Sequence, residues 1–201
     1  MKKKEFKSIS VSRVIDSDGR KTLIINNPTD FRLIGKGVQG AVFQLDDDRC
    51  IKFYVKKSFV EKEMKAYEAA KKYSFIPEFY ERGSNYIIME YIKGPSLYKY
   101  LQKVNHLSKS ISQQILMIHR ELKKVGFTRI ESKLGHFIVT DGEVLKFVDH
   151  SDAFSYFQPY PNELFTDLKK IGLLQTFLDH AKELDPEQYS EWGKAVDLEQ
   201  I

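Results

Sequence analysis

The stretch "FRLIGKGVQGAVFQLDDDRCIKFY", Phe31 to Tyr54, sets the architecture. Its three apolar runs, "FRLIG", "AVFQL" and "RCIKFY", are rich in β-branched and aromatic residues and broken by glycines and an acidic turn, the pattern of consecutive strands. Gly35, Gly37 and Gly40 therefore stand between two strands rather than between a strand and a helix. That setting argues against a dinucleotide-binding turn and fits a glycine-rich hairpin whose backbone N–H groups approach phosphate oxygens. A plain tight hairpin is the alternative. Val42 follows the last glycine by two residues, and Lys52 lies inside the next apolar strand, where an ammonium is costly unless a partner meets it. Otherwise Lys52 is an outward-pointing strand lysine.

The segment that follows offers the partner. A helix is expected from Phe59 to about Lys72, and at about 100° per residue Phe59, Val60, Met64, Ala66, Tyr67 and Ala70 form one apolar arc. Glu63 falls near the middle of that arc, whereas Glu61 and Glu68 fall outside it. A carboxylate on a buried face needs a cation, and Lys52 is the candidate; a semi-exposed Glu63 is the other possibility.

On either side of this core, "SISVSRVI" and "KTLIINN" alternate around the turn "DSDG", and "NYIIMEYI" adds another strand. After "KGPS" the texture turns helical: "SLYKYLQKV", then Ser110 to Val125, with Ile111, Ile115, Ile118, Leu122 and Val125 on one stripe. A strand pair, "HFIVT" and "EVLKFVD", is expected around Asp141-Gly142. Two further helices are expected from Leu164 to Asp185 and from Pro186 to about Leu198. The order is a sheet with one helix, a connector, then helices with one hairpin.

Composition narrows the function classes. The 201 residues suit one domain or two small lobes, and 32 basic against 28 acidic residues leave a formal charge of +4 spread along the chain, which argues against nucleic-acid binding. The opening "MKKKEFKS" reads as a short solvated tail, with contact to an anionic surface as the alternative. No apolar run follows it, so neither a signal peptide nor a membrane span is expected. Cys50 is the only cysteine, which excludes an internal disulfide and a cysteine zinc cage and fits a reducing cytoplasm.

The run "FRLIGKGVQGAVFQL…CIKFY…EMKAYEAA…IPEFYERGSNYIIMEYIKGPSLYKYL" resembles the small lobe and hinge of the protein-kinase-like superfamily. Its abbreviated style is similar to RIO kinases, the kinase of the KEOPS tRNA-modification complex and small bacterial relatives. The resemblance covers about Phe31 to Asp179. It implies an α+β, two-lobed kinase-like fold: an antiparallel-sheet small lobe with an N-terminal hairpin extension over residues 1–92, and a truncated, mainly helical large lobe over 93–201. It further implies that Met89 stands beside the adenine, that Glu90, Tyr91 and Ile92 form the hinge whose backbone bonds the base, that Val42 and Cys50 line the nucleotide, and that Lys52, held by Glu63, grips its phosphates.

The large-lobe residues follow by register. The run His119-Arg120-Glu121-Leu122-Lys123 imitates a kinase catalytic loop, but it lies inside the helical stripe and is read as helix. "HFIV" and "LKFVD" match the strands after the true loop, so Asp149 takes the place of the metal-binding aspartate. Eighteen residues before it stands Glu131 at the catalytic position, with Lys133 as the γ-phosphate lysine and His136 at the site of the metal-binding asparagine. The chain departs from the family at Arg129-Ile130-Glu131, at His136 and at Asp149-His150-Ser151. Glutamate displaces the carboxylate by an extra methylene, and histidine suits Mn²⁺ or Zn²⁺ better than Mg²⁺. Downstream, Asp167 and Gly172 match the large lobe's buried helix, and only eighteen residues separate Asp149 from Asp167, too few for a peptide platform. The expected function is an ATP-dependent phosphotransferase, an atypical Ser/Thr kinase using Mg²⁺ or Mn²⁺ and a protein or small-molecule hydroxyl acceptor. The alternatives are a nucleotide-binding pseudokinase acting as an interaction module, or a small-molecule kinase.

Overall fold

The computed structural model describes residues 2–15, 17–130 and 132–198. The fold is mixed α+β, with antiparallel sheets and six helices among the described residues, compatible with a two-lobed kinase-like fold. The chain divides into two compact units, residues 1–65 with 77–91, and 66–76 with 92–201.

The first unit is built on a five-stranded antiparallel sheet. Its strands β3 (Leu33–Gly37), β4 (Gly40–Gln44), β5 (Arg49–Tyr54), β6 (Phe79–Arg82) and β7 (Tyr86–Glu90) stand in the order β3-β4-β5-β7-β6. The central β5 is buried from Cys50 through Tyr54, so its apolar run is nearly continuous rather than alternating. Ile51 and Phe53 on one face join Phe43, Ala41, Ile88, Phe6 and Ile9 in a core cluster. A separate hairpin, β1 (Ser10–Ile15) paired with β2 (Lys21–Asn26), lays Val11, Leu23 and Ile25 against the same cluster.

Two expectations change here. The basic opening is not a solvated tail: Lys2–Ser8 forms a 3₁₀ helix, and Phe6 and Ile9 are buried, Phe6 meeting the Tyr86 ring edge-on at 5.2 Å. Local charge hides an anchor that only the distant sheet reveals. Strand β6 also goes beyond the expected set, because all four of its residues are exposed, as an edge strand allows, and it has no buried face to imprint alternation.

Helix α1 (Lys57–Ala70) buries Val60, Glu63, Met64, Ala66, Tyr67 and Ala70. The second unit holds α2 (Leu97–Val104), α3 (Lys109–Lys124), the hairpin β8 (Phe137–Val139) with β9 (Leu145–Phe147), then α4 (Asn162–Lys170), α5 (Leu174–Leu184) and α6 (Pro186–Ala195). Ser108 caps α3 by accepting from Ile111 N, and Ile111, Ile115, Ile118 and Leu122 fill the core along its length. Asp185 caps α6 with Pro186 in its first turn, and Trp192 packs edge-on against Phe165 at 5.2 Å.

The single helix expected from Leu164 to Asp185 is two. Gly172 adopts φ +72°, its N–H reaches Lys169 O at 3.1 Å, and Leu173 N reaches Leu168 O at 2.9 Å. This paired closure ends α4, and the chain turns into α5. Apolar periodicity runs on across the break, so only the glycine carries the signal. Among the described residues no helix is long and apolar enough to cross a membrane.

Candidate functional site

In the first unit, one face of the sheet collects most of the residues singled out in the sequence. Cross-strand partners share a face, and so do residues two apart on a strand. Gly35 pairs with Val42, Val42 with Lys52, Lys52 with Ile87, and Cys50 with Met89. Gly35, Val42, Cys50, Lys52 and Met89 therefore line the face opposite the aromatic core.

Lys52 is buried on that face, 8% exposed, and its Nζ donates to Glu63 Oε2 at 3.1 Å. Glu63 is 1% exposed. The ammonium also lies 5.0 Å from the centroid of the Tyr54 ring. Removing one partner of such a pair would strand a buried charge at a cost of about 3–5 kcal/mol. Strand β5 supplies the lysine and α1 the carboxylate.

The three glycines differ in what the fold asks of them. A Cβ on Gly40 would stand 1.9 Å from Phe53 O, so backbone contact between β4 and β5 dictates that glycine. Gly35 would meet only Val42 carbons at 3.8 Å, and Gly37 nothing within 4 Å. Packing does not require glycine at 35 or 37. The loop tip is tied from two sides, Val55 N donating to Gln39 O at 3.0 Å and Arg13 Nη1 to Val38 O at 3.3 Å.

Within the Glu90–Ile92 segment, Glu90 N donates to Glu78 O and Tyr91 N to Asp48 O, both at 2.8 Å. Ile92 N–H has no acceptor among the described residues. The Glu90 carbonyl receives the Cys50 thiol at 3.5 Å. Burial pushes the pKa of that thiol up to about 12, with Lys52 pulling the other way and Glu90 adding to the rise, so Cys50 is a packed neutral thiol rather than a reactive one.

In the second unit, Glu131 lies outside the described residues. The loop around it is anchored by side chains that the sequence does not connect. Ser132 Oγ sits 2.9 Å from His119 Nε2, and Leu134 N donates to Asp167 Oδ2 at 3.3 Å. Lys133 Nζ pairs with Glu163 Oε1 at 3.2 Å across half-exposed surface. The first two pairings have no local sequence signal, because their partners lie 13 and 33 residues apart.

The β8–β9 hairpin then brings His136 and Asp149 to one end, with Phe137 opposite Phe147 and Val148 N donating to His136 O at 2.8 Å. His136 Nδ1 accepts from Lys133 N at 3.4 Å, a long bond that turns this ring nitrogen toward the loop backbone. Asp149 holds φ +67°, a left-handed conformation uncommon outside glycine, and Ser151 Oγ reaches its Oδ1 at 3.5 Å. Among the described residues no group of three or more His, Cys, Asp or Glu side chains stands ready to hold a metal ion.

After Asp149 the chain doubles back. His150 is buried between the rings of Tyr67 and Phe147, at 5.7 and 5.1 Å. Thr128 N and Arg129 N both donate to Ala153 O, and Ile130 N to Gln158 O, all at 3.1 Å. Arg129 adds a 3.4 Å contact to Asp152 and lies over the Tyr156 ring at 4.9 Å. Arg129 thus ties down the segment with a charge that Ile130 lacks.

No family model matches the chain. It is 31% identical over 126 residues to a protein of Bacillus subtilis (strain 168), the "Putative serine/threonine-protein kinase YrzF". Its relative is named a kinase. The match covers 60% of this chain and 58% of that protein, so the chain spans less than two thirds of its relative's length.

Proposed function

We propose that this chain is an ATP-dependent phosphotransferase, a small atypical Ser/Thr kinase in the abbreviated style of the RIO and KEOPS kinases. The observation that carries the reading is the buried Lys52–Glu63 pair, set on the same sheet face as Gly35, Val42, Cys50 and Met89. A lysine in a central strand, fixed by a helix carboxylate, is the arrangement that presents an ammonium to nucleotide phosphates. Gly35 and Gly37, which packing does not demand, let the backbone approach the phosphates. The Ile92 N–H and the Glu90 carbonyl suit the adenine edge.

The acceptor chemistry falls to the second unit. Glu131 orients the acceptor hydroxyl and takes its proton as oxygen attacks the γ-phosphorus and the bond to ADP breaks. Lys133 offsets charge on the transferred group once it leaves Glu163. Asp149 would hold Mg²⁺ or Mn²⁺ bound to the nucleotide, which when present would supply neutralisation of phosphate charge. His136 joins as a ligand only by giving up its bond from Lys133 N. Positioning and electrostatics dominate phosphoryl transfer, so a displaced carboxylate slows the reaction without abolishing it.

A second reading, a nucleotide-binding pseudokinase, draws support from the engagement of His136 Nδ1 by Lys133 N and the burial of His150. Transfer of labelled γ-phosphate from ATP, to the protein itself, to a generic basic protein and to small alcohols, separates the two. With Mg²⁺ and Mn²⁺ in parallel, the kinase reading expects label that vanishes in Asp149→Ala. Nucleotide binding without label under either metal supports the pseudokinase.

A further inference from the structure

We propose that His119 is a positioning residue for phosphoryl transfer, holding Ser132 and with it the loop that carries the acceptor-side groups; the inference rests on the function proposed above. His119 occupies the buried stripe of α3, one turn from Ile115 and from Leu122, and is itself 1% exposed. The fold does not need an imidazole there. Its Nδ1 finds no partner among the described residues, and a buried polar atom without one is destabilising. A leucine at this position would continue the stripe and remove the orphaned nitrogen, at the cost of the bond to Ser132 Oγ.

What His119 does offer is one bond, Nε2 to Ser132 Oγ at 2.9 Å, between two groups each 1% exposed. Ser132 stands between Glu131 and Lys133 in the chain. On its far side the loop is fixed by Asp167 at Leu134 N, and on its near side by the Ile130 N bond to Gln158 O. His119 supplies the side-chain anchor between those two backbone ties. Burial, with a smaller contribution from Lys123, lowers its pKa to about 3, so the ring is neutral and its bond to Ser132 is insensitive to pH in the physiological range. A site that accepts an orphaned nitrogen to fix a loop trades stability for geometry.

The test compares wild type with His119→Leu, His119→Gln and Ser132→Ala. The His119→Leu protein is expected to stay folded with Tm within a few degrees of wild type, and His119→Leu with Ser132→Ala to keep Tm, while in both kcat falls about tenfold or more and KM for ATP stays within about twofold. The His119→Gln protein, whose amide can still reach a hydroxyl, is expected to recover part of kcat, and Ser132→Ala combined with His119→Leu is expected to cost no more than either alone. Amide hydrogen exchange over residues 130–136 is read alongside and is expected to accelerate at least tenfold in His119→Leu. Unchanged kcat in an active, folded His119→Leu protein, or unchanged exchange in that loop, overturns the proposal. If wild type transfers no phosphate, the kinase reading fails, and the exchange experiment alone decides whether His119 positions the loop.

Discussion

The two units treat their candidate residues differently. In the first, Lys52, Cys50, Val42 and Met89 are spaced by strand register, and the charged pair is sealed by burial. In the second, Lys133, His136 and Asp149 sit on loops and hairpin ends, within reach of Glu163, of the Lys133 backbone and of Ser151. The first is a face with little freedom to vary; the second is a loop whose geometry is set by residues elsewhere. Substitution of the grip should therefore cost stability as well as activity, whereas substitution of the loop should cost activity alone.

The largest effect is expected from Asp149→Ala, which should lower phosphate transfer by about 10²–10³-fold, as loss of a transition-state electrostatic group does, with nucleotide affinity in the absence of metal nearly unchanged. A matching loss of thermal stability would erase the contrast between the units. Next come Glu63→Ala and Lys52→Met. The alanine strands a buried ammonium and the methionine strands the buried Glu63 carboxylate, so each should destabilise by about 3 kcal/mol while both cut kcat/KM. Chemical denaturation of the two variants checks both losses.

The glycines extend the contrast into the first unit. Gly40→Ala must displace the backbone near Phe53 O and should lower Tm by several degrees, whereas Gly35→Ala should leave Tm unchanged and weaken ATP binding a few-fold. Acid titration gives a smaller signal from α3. His119 holds a pKa of about 3 against an ordinary 6.5, so its stabilising contribution is fully present above about pH 6.5 and is lost as pH falls toward 3. The unfolded chain takes up a proton that the folded one refuses, up to about 1.4 kcal/mol per pH unit in that window. Acid unfolding of His119→Leu should accordingly begin at lower pH than that of wild type. Smallest of all, Cys50 should react with iodoacetamide far more slowly at pH 8 than an exposed thiol, because its pKa of about 12 leaves almost no thiolate.

How much of this the sequence discloses depends on range. A lysine inside an apolar strand and a glutamate on a helix's apolar arc each signal burial locally, and their pairing follows from the need to compensate charge. Likewise His119 to Lys123 belong to a helical stripe, and they are helix. The same stripe does not disclose that His119 reaches Ser132, since nothing local marks a contact between a helix and a loop. Phe6 is masked by the lysines around it and Gly172 by the apolar period that continues past it. Glu131, on which the acceptor chemistry of the proposal turns, is outside the described residues.

ATP affinity and γ-phosphate transfer, measured side by side in wild type, Lys52→Met and Asp149→Ala under Mg²⁺ and Mn²⁺, would decide whether the buried pair and the hairpin-end aspartate serve one reaction. Wild type is expected to bind and transfer, Lys52→Met to lose both in part, and Asp149→Ala to bind nucleotide with transfer reduced to near background. Wild-type protein that binds no ATP, or transfer that survives Asp149→Ala undiminished, would contradict the kinase reading.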